Sequence, residues 1–370
     1  MISMTPYQIL VIAALILWLV PLMLIWARFD RLPHGREMLL VVLLSPALLI
    51  ETSLCAFEMS TSWHFLVAVF SALPALLTSL LCLAVTRLLL DKTRYSARLM
   101  VLPGILAVLL SVPLLFFSSE YKSAVLTEGV NGQLAQHWYV YGYTLLCQLS
   151  VLWQAFAAEN RLREYQFFLS DQVVDTHLYR FSISIKVFGS LITLAFCVAV
   201  AIILVAVTWL PLSQWLQIMQ VCYFLIFIVL SLVLMEKRRY SPSPLDYARL
   251  QQPDYPEEQL RDALTQAEQA MLKHKAYKKI GLRLKDFSRA THVDPTLLAA
   301  AMRTLLKRNF RAFVYHYRLE YAKRILMRSD VRVSDVARRL GFDSERFLSE
   351  LFVKYVHKMA RDEDSRGHDS

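Results

Sequence analysis

The sequence predicts an all-α protein in two parts: a seven-helix transmembrane bundle over residues 1–235, then short amphipathic helices in water. Three observations carry this. Of the 370 residues 56% are hydrophobic and the mean hydropathy is +0.41, too apolar for an ordinary soluble chain. The apolar excess lies wholly in the first part. Residues 259–370 hold 24 Lys/Arg against 14 Asp/Glu, whereas residues 1–258 hold 16 of each, so the net charge of +10 sits in the C-terminal part. That part is polar, with helical spacing broken by turn residues.

A spanning helix needs about 20 mostly apolar residues, because the hydrocarbon core is roughly 30 Å thick and each residue rises about 1.5 Å. Seven segments qualify: Tyr7–Trp26, Met38–Phe57, Phe65–Val85, Leu99–Phe117, Trp138–Ala158, Val187–Trp209 and Trp215–Met235. Trp26, Trp63, Trp138, Trp209 and Trp215 lie near their ends, where an amphipathic ring prefers the membrane interface. The first segment has no basic leader, its apolar run is long for a signal peptide, and no small-residue cleavage pattern follows, so it reads as retained.

Lys and Arg next to a span stay on the cytoplasmic side. Arg28, Arg31 and Arg36 follow the first span; Arg87, Lys92, Arg94 and Arg98 follow the third. Arg161, Arg163, Arg180 and Lys186 follow the fifth, and Lys237, Arg238 and Arg239 the last. The opposite loops hold only Lys122. The amino terminus is therefore expected outside and the carboxyl terminus in the cytosol. Cys55, Cys82, Cys147, Cys197 and Cys222 all fall in apolar runs, which implies neither a disulfide framework nor a metal site.

Intramembrane chemistry is sparse. Glu51 is the one clear acid inside a span and, with Glu58 and His64 close in sequence, is the candidate for signal sensing. A retinal-type receptor is disfavoured because the seventh span has no lysine, and no His-Glu-x-x-His helix or paired-acid constellation suggests an enzyme. No catalytic residue, cofactor or metal is expected. Pro242, Pro244, Pro253 and Pro256 punctuate a linker over 236–258, which prevents one continuous helix from running into the next domain. A flexible 23-residue linker spans roughly 24–29 Å.

From residue 259 a two-helix rhythm appears twice. Leu284–Ala290 is a short helix and Thr291-His292-Val293 a turn; Asp294 caps a second helix with Pro295 at its first position, running to about Lys307. A long helix, Phe310–Met327, places Phe313, Val314, Tyr317, Tyr321 and Ile325 at helical spacing. In the second copy Ser334 caps a helix holding Val336, Ala337 and Leu340; Gly341 ends it, Phe342 plugs the core, and another helix starts near Ser344 with Leu348 and Phe352 inward.

Tyr317-Arg318-Leu319-x-x-Ala322-Lys323-x-x-Leu326, followed by Val333-Ser334-Asp335-Val336-Ala337-x-x-Leu340-Gly341-Phe342 and Phe352, resembles the AraC/XylS family DNA-binding domain over residues 259–358. The resemblance implies tandem helix-turn-helix units, joined by the long helix, entering successive major grooves. It also implies a bacterial inner-membrane location for a chain with such spans. His357 and Ala360 depart from the family's glycine and proline, His292 and Lys307 stand where glycine is common, and residues 359–370 form a polar acidic tail around Asp362, Glu363 and Asp364.

Carried over residue by residue, the resemblance puts base contacts at Thr296, Ala299 and Ala300 in the first unit and at Glu345, Arg346, Phe347 and Glu350 in the second. Arg346 suits a bidentate contact to guanine, Glu345 accepts from cytosine, and the alanines offer only methyl contacts. Arg303, Arg308 and Lys354 are the candidate phosphate contacts. The expected function is a membrane-embedded one-component transcription regulator, with double-stranded DNA, membrane lipid, a second copy of the chain and an unidentified signal or membrane protein as partners. The rival classes are a transporter or channel with a regulatory appendage and a membrane interaction protein whose basic domain binds anionic lipid. The odd span count and sparse intramembrane charge disfavour the first, and dependence on a single base-reading arginine separates DNA from lipid.

Overall fold

The computed structural model describes residues 5–32, 34–57, 61–89, 97–127, 130–212, 214–235, 245, 250, 255–328, 332–342, 346, 348–350 and 353. The chain divides into two compact units. The first comprises residues 1–165 and 181–238, the second residues 166–180 and 239–370. Among the described residues the regular elements are helical, apart from one isolated bridge.

In the first unit α1 (Pro6–Arg28) opens with Thr5, whose hydroxyl accepts from the Gln8 amide while the Gln8 side chain accepts from the Thr5 amide. α2 (Gly35–Leu44) and α3 (Ile50–Ala56) are joined through a 3₁₀ stretch, Ser45–Leu49, where Pro46 interrupts α-helical bonding. Two 3₁₀ turns, Thr61–Leu66 and Val69–Ala72, precede α4 (Leu73–Leu89). Then follow α5 (Ala97–Leu115), α6 (Ser119–Thr127), α7 (Leu134–Phe167), α8 (Leu169–Gln172, in the second unit), α9 (Ser182–Ala206) and α10 (Trp215–Leu234).

Five stretches of described residues are long and apolar enough to cross a membrane: Tyr7–Arg28, Gly35–Ala56, Trp63–Leu89, Ser182–Ala206 and Trp215–Leu234. A sixth is counted if Leu99–Leu115 and Ser119–Leu126, bent by 113° to one another, form one broken span. α7, which contains the expected span Trp138–Ala158, is not among them, because Gln148, Gln154 and its tyrosines dilute the apolar run. Its 34 residues are nonetheless about 51 Å long at 1.5 Å each.

This unit exposes many apolar side chains and buries polar ones among the apolar residues of its core. Leu146, Leu149, Trp153 and Phe156 on α7 and Ile16, Met23 and Trp26 on α1 are exposed, whereas Gln148, Gln154, Thr144 and Glu159 are buried. The buried groups find partners, as they must where no water competes. Tyr223 donates to Gln148, and Ser79 to Gln154. Arg161 donates to Thr86 at 2.5 Å, tying α7 to α4, and Arg87 pairs with Glu37 between α4 and α2.

α4 and α5 meet at Gly104. A Cβ there would strike the Ser79 hydroxyl and lie 2.8 Å from the Leu76 Cα, so the close approach depends on a missing side chain. Gly104→Ala is expected to destabilise this unit by about 1–3 kcal/mol. Thermal unfolding of the detergent-solubilised protein, followed by thiol labelling of buried Cys82 and Cys147, checks this as an earlier onset of labelling.

Candidate nucleic-acid interface

The second unit is assembled from α11 (Glu257–Lys273), α12 (Leu284–Thr291), α13 (Pro295–Leu305), α14 (Phe310–Arg328) and α15 (Val333–Arg339). α11 turns Leu260, Ala263, Ala267, Ala270 and Met271 into the core at helical spacing. α12 ends at His292, whose φ is +56°, and Asp294 then caps α13 by accepting from the amides of Thr296 at 2.8 Å and Leu297 at 3.1 Å. Pro295 holds the first helical position, so the first helix-turn-helix unit begins and turns where its residues indicate. Lys307, at φ +52°, turns the chain from α13 toward α14, where the Asn309 side chain accepts from the Ala312 amide at 2.9 Å.

In the second copy α15 starts at Val333 with Arg332 at the cap and no side-chain capping bond, so the expected cap, Ser334, is already inside the helix. Gly341 adopts φ +67°, and a Cβ there would meet Ile280 at 3.3 Å and the Arg318 guanidinium at 3.5 Å. Phe342 stacks on Tyr315 with ring centroids 5.3 Å apart. Arg346 and 348–350 are helical beyond this turn, with Leu348 fully buried.

Arg318 of α14 lies at the centre of the unit with no exposed surface. Its guanidinium donates to the carbonyls of Tyr277 at 2.8 Å, Lys279 at 2.9 Å and Gly341 at 3.5 Å, and it lies 3.8 Å from the Asp175 carboxylate. Burial pushes its pKa below the usual arginine value, and Asp175 opposes that shift. Arginine keeps its proton in proteins, so the charge must be matched inside the fold.

Asp175 belongs to residues 166–180, the connection between α7 and α9, which was not expected to join this unit. Phe168 and Val174 are fully buried in the same core as Leu298 and Phe310. The Val174 amide donates to the Leu282 carbonyl at 3.2 Å, and Val173 and Arg283 form an antiparallel bridge. The Gly281 amide donates to Asp175 at 2.5 Å, Asn309 to Ser170 at 3.1 Å and Arg311 to Thr176 at 3.2 Å. The only hint in sequence is the apolar Phe167-Phe168-Leu169 and Val173-Val174 within an otherwise polar connection. At the other end, Leu245 and Leu250, within the expected linker, are also buried in this core.

The candidate DNA-contacting residues are distributed unevenly. Ala299 and Ala300 are corrected: they are 0% and 1% exposed, with Leu298, Ala301 and Met302 buried beside them, and offer no methyl to a base. Five successive buried residues sweep more than a full turn, and the small alanine side chains let neighbouring elements close over faces that a larger residue would hold open. Thr296 is partly exposed at the first turn of α13. Arg346 and Glu350 are well exposed, and the arginine Nε donates to the Glu350 carboxylate at 3.0 Å. Glu345, Phe347 and Lys354 lie outside the described residues.

Arg308 is partly buried. Arg303 is held bidentately by Asp171, at 2.9 and 2.6 Å, with its guanidinium 4.7 Å from the Phe168 ring centroid. Burial raises the Asp171 pKa, and the arginine partly offsets this. In the first unit, Glu51 is buried and accepts from the Ala68 amide at 2.8 Å and the Gln220 side chain at 2.9 Å. It thereby holds the turn where Ala68 has φ +62°. His64 is also buried, while Glu58 lies outside the described residues.

Paired short helices turning through left-handed residues, repeated about a long helix with a basic exterior, define a helix-turn-helix DNA-binding unit. Residues 287–362 match the family described as a helix-turn-helix domain. The domain in this part of the chain is of the AraC type. No curated protein and no solved structure gives a match to the chain.

Two stability changes follow. Arg318→Met is expected to cost about 3–5 kcal/mol, because it leaves Asp175 buried without its charge partner. Lys307→Gly should instead stabilise by about 0.5–1 kcal/mol by relieving a left-handed residue. Urea unfolding of the purified full-length protein, read by near-ultraviolet dichroism, checks that the two shifts have opposite sign.

Proposed function

We propose that the protein is a membrane-embedded one-component transcription regulator, in which seven spans sense a signal or membrane partner and the C-terminal domain binds promoter DNA. The observation that carries this reading is the presence, in one chain, of an AraC-type helix-turn-helix domain and an N-terminal set of apolar helices. Exposed apolar side chains and hydrogen-bonded buried polar ones support counting α7 as a span, and α5 as another, for a total of seven. The basic connections then put the amino terminus outside and the DNA-binding domain in the cytosol, at the inner membrane of a bacterium. No catalytic step is part of this reading.

Direct base readout rests on the second helix-turn-helix, through Arg346 and Glu350 with Glu345 and Phe347, while Thr296 supplies the contact of the first helix-turn-helix. Arg303, Arg308 and Lys354 engage phosphate. Breaking the Arg346–Glu350 pair costs little, because an exposed i,i+4 pair contributes only about 0.3–0.5 kcal/mol, less than a bidentate arginine–guanine contact at about 1–3 kcal/mol. Glu51, with His64 and Glu58, is the sensing region, since moving the Glu51 carboxylate releases both Ala68 and Gln220. Dimerisation through the spans raises the local concentration of one DNA-binding domain at the second half of a paired site. The signal shifts this equilibrium by about 1.4 kcal/mol for each tenfold change in affinity.

Genome-wide occupancy of the tagged full-length protein tests the reading, with Arg346→Ala compared and membrane fractionation run in parallel. Discrete peaks from a membrane-retained protein are expected, with Arg346→Ala losing about 1–3 kcal/mol at cognate sites and little elsewhere. Retained discrimination between cognate and scrambled DNA in Arg346→Ala would remove that residue from base reading. Membrane-retained protein with no sequence-specific peaks under any growth condition would overturn the regulator itself.

A further inference from the structure

The connection between α7 and α9 has no role in the regulator as described, yet it is bonded into the DNA-binding unit. We infer that Asp171 is an autoinhibitory latch: its carboxylate occupies Arg303, the phosphate-contacting arginine of the first helix-turn-helix, and DNA engages that arginine only when Asp171 is displaced. The inference rests on the DNA-binding reading above.

Arg303 presents its Nε and Nη2 edge to both Asp171 oxygens, at 2.9 and 2.6 Å. A guanidinium fork filled by a carboxylate is not available for the equivalent bidentate contact with a phosphate. Asp171 is fully buried while Arg303 keeps 27% of its side chain exposed, so the arginine lies at the rim where a phosphate can compete for it. Phe168, beneath the guanidinium at 4.7 Å, orients it toward Asp171.

The connection is anchored independently on the far side of Asp171. Asp175 and Val174 are fixed by Arg318, Gly281 and Leu282 in the core. Nearer Asp171, the Ser170 hydroxyl accepts from the Asn309 side chain at 3.1 Å. Displacing Asp171 thus leaves the core anchor in place. The chain also supplies a trigger. α7 ends at Phe167, four residues before Asp171, and α9 starts at Ser182, so movement of the α7 end is transmitted to Asp171 through one short turn, α8.

Phosphate contacts are independent of sequence, so the test needs no known promoter. The full-length protein in phosphatidylcholine nanodiscs is titrated with a fluorescent 30-base-pair duplex of random sequence at several salt concentrations. Wild type, Asp171→Asn, Arg303→Gln and the double variant are compared. Asp171→Asn is expected to bind about tenfold tighter at 0.1 M salt with the log–log salt slope unchanged, because DNA displaces Asp171 in the wild-type complex too and Arg303 meets phosphate in both. Arg303→Gln should flatten the slope by about 0.9, the value of one phosphate contact, and abolish the tenfold gain of Asp171→Asn.

Additive variants, with Asp171→Asn tightening binding equally with and without Arg303, would overturn the latch while leaving DNA binding intact. Failure of every form to bind the duplex at low salt would overturn the DNA-binding reading and the latch with it. A variant-free measurement covers loss of folding in Asp171→Asn. Hydrogen exchange of the wild-type protein should speed up at residues 169–172 when saturating duplex is added, and unchanged or slowed exchange there would count against displacement.

Discussion

A buried arginine that cannot shed its proton must be surrounded by acceptors, and in this protein that requirement organises the DNA-binding unit. Arg318 draws in carbonyls from Tyr277 and Lys279 before the first helix-turn-helix unit, from Gly341 in the turn of the second, and the Asp175 carboxylate from the α7–α9 connection. Three segments distant in sequence are tied to one charge. The left-handed glycine at 341 belongs to the same arrangement, because it presents its carbonyl to the guanidinium in a space that a side chain would crowd. Truncation strands a buried charge, which is why such a site is costly to break even where the ion pair itself contributes modestly.

The first unit meets the opposite constraint. It exposes many apolar side chains, and several of its buried polar groups are paired: Gln148 with Tyr223, Gln154 with Ser79, Glu51 with Gln220 and the Ala68 amide. Lipid provides no hydrogen bonds, and each unpaired group there costs several kcal/mol. The same rule accounts for α7, which buries Gln148, Gln154 and Glu159 among apolar residues and exposes Leu146, Leu149, Trp153 and Phe156. Glu51 has a further consequence for dynamics. A single carboxylate bonds both a 3₁₀ turn before α4 and the α10 side chain Gln220, so a change at that carboxylate reaches two elements at once.

The chain passes between the two units three times, after residues 165, 180 and 238. The last passage runs through the proline-punctuated linker. The other two enclose a 15-residue connection that contributes Phe168 and Val174 to the DNA-binding core. A signal carried by a loose tether alters little more than local concentration, whereas one carried by a bonded connection acts on the side chains it touches. Energetic coupling of this kind needs an element with two arrangements that both sites bias.

The sequence by itself determined whatever local periodicity and local chemistry control. Runs of apolar residues located the helices that are long and apolar enough to cross a membrane. Asp294 and Pro295 set the start of α13, Gly341 marked the end of α15 and its turn, and the Arg318–Leu319–Ala322 spacing marked the linking helix. Tertiary structure alone decided what depends on partners far away in the chain. The resemblance puts base contacts at Ala299 and Ala300, but their burial depends on which elements cover α13, and that is set by non-local packing. Arg303 and Asp171 are separated by 132 positions, and no periodicity connects them. An arginine looks the same in sequence whether it faces a phosphate or a carboxylate, because its partner is chosen by the three-dimensional arrangement of charge.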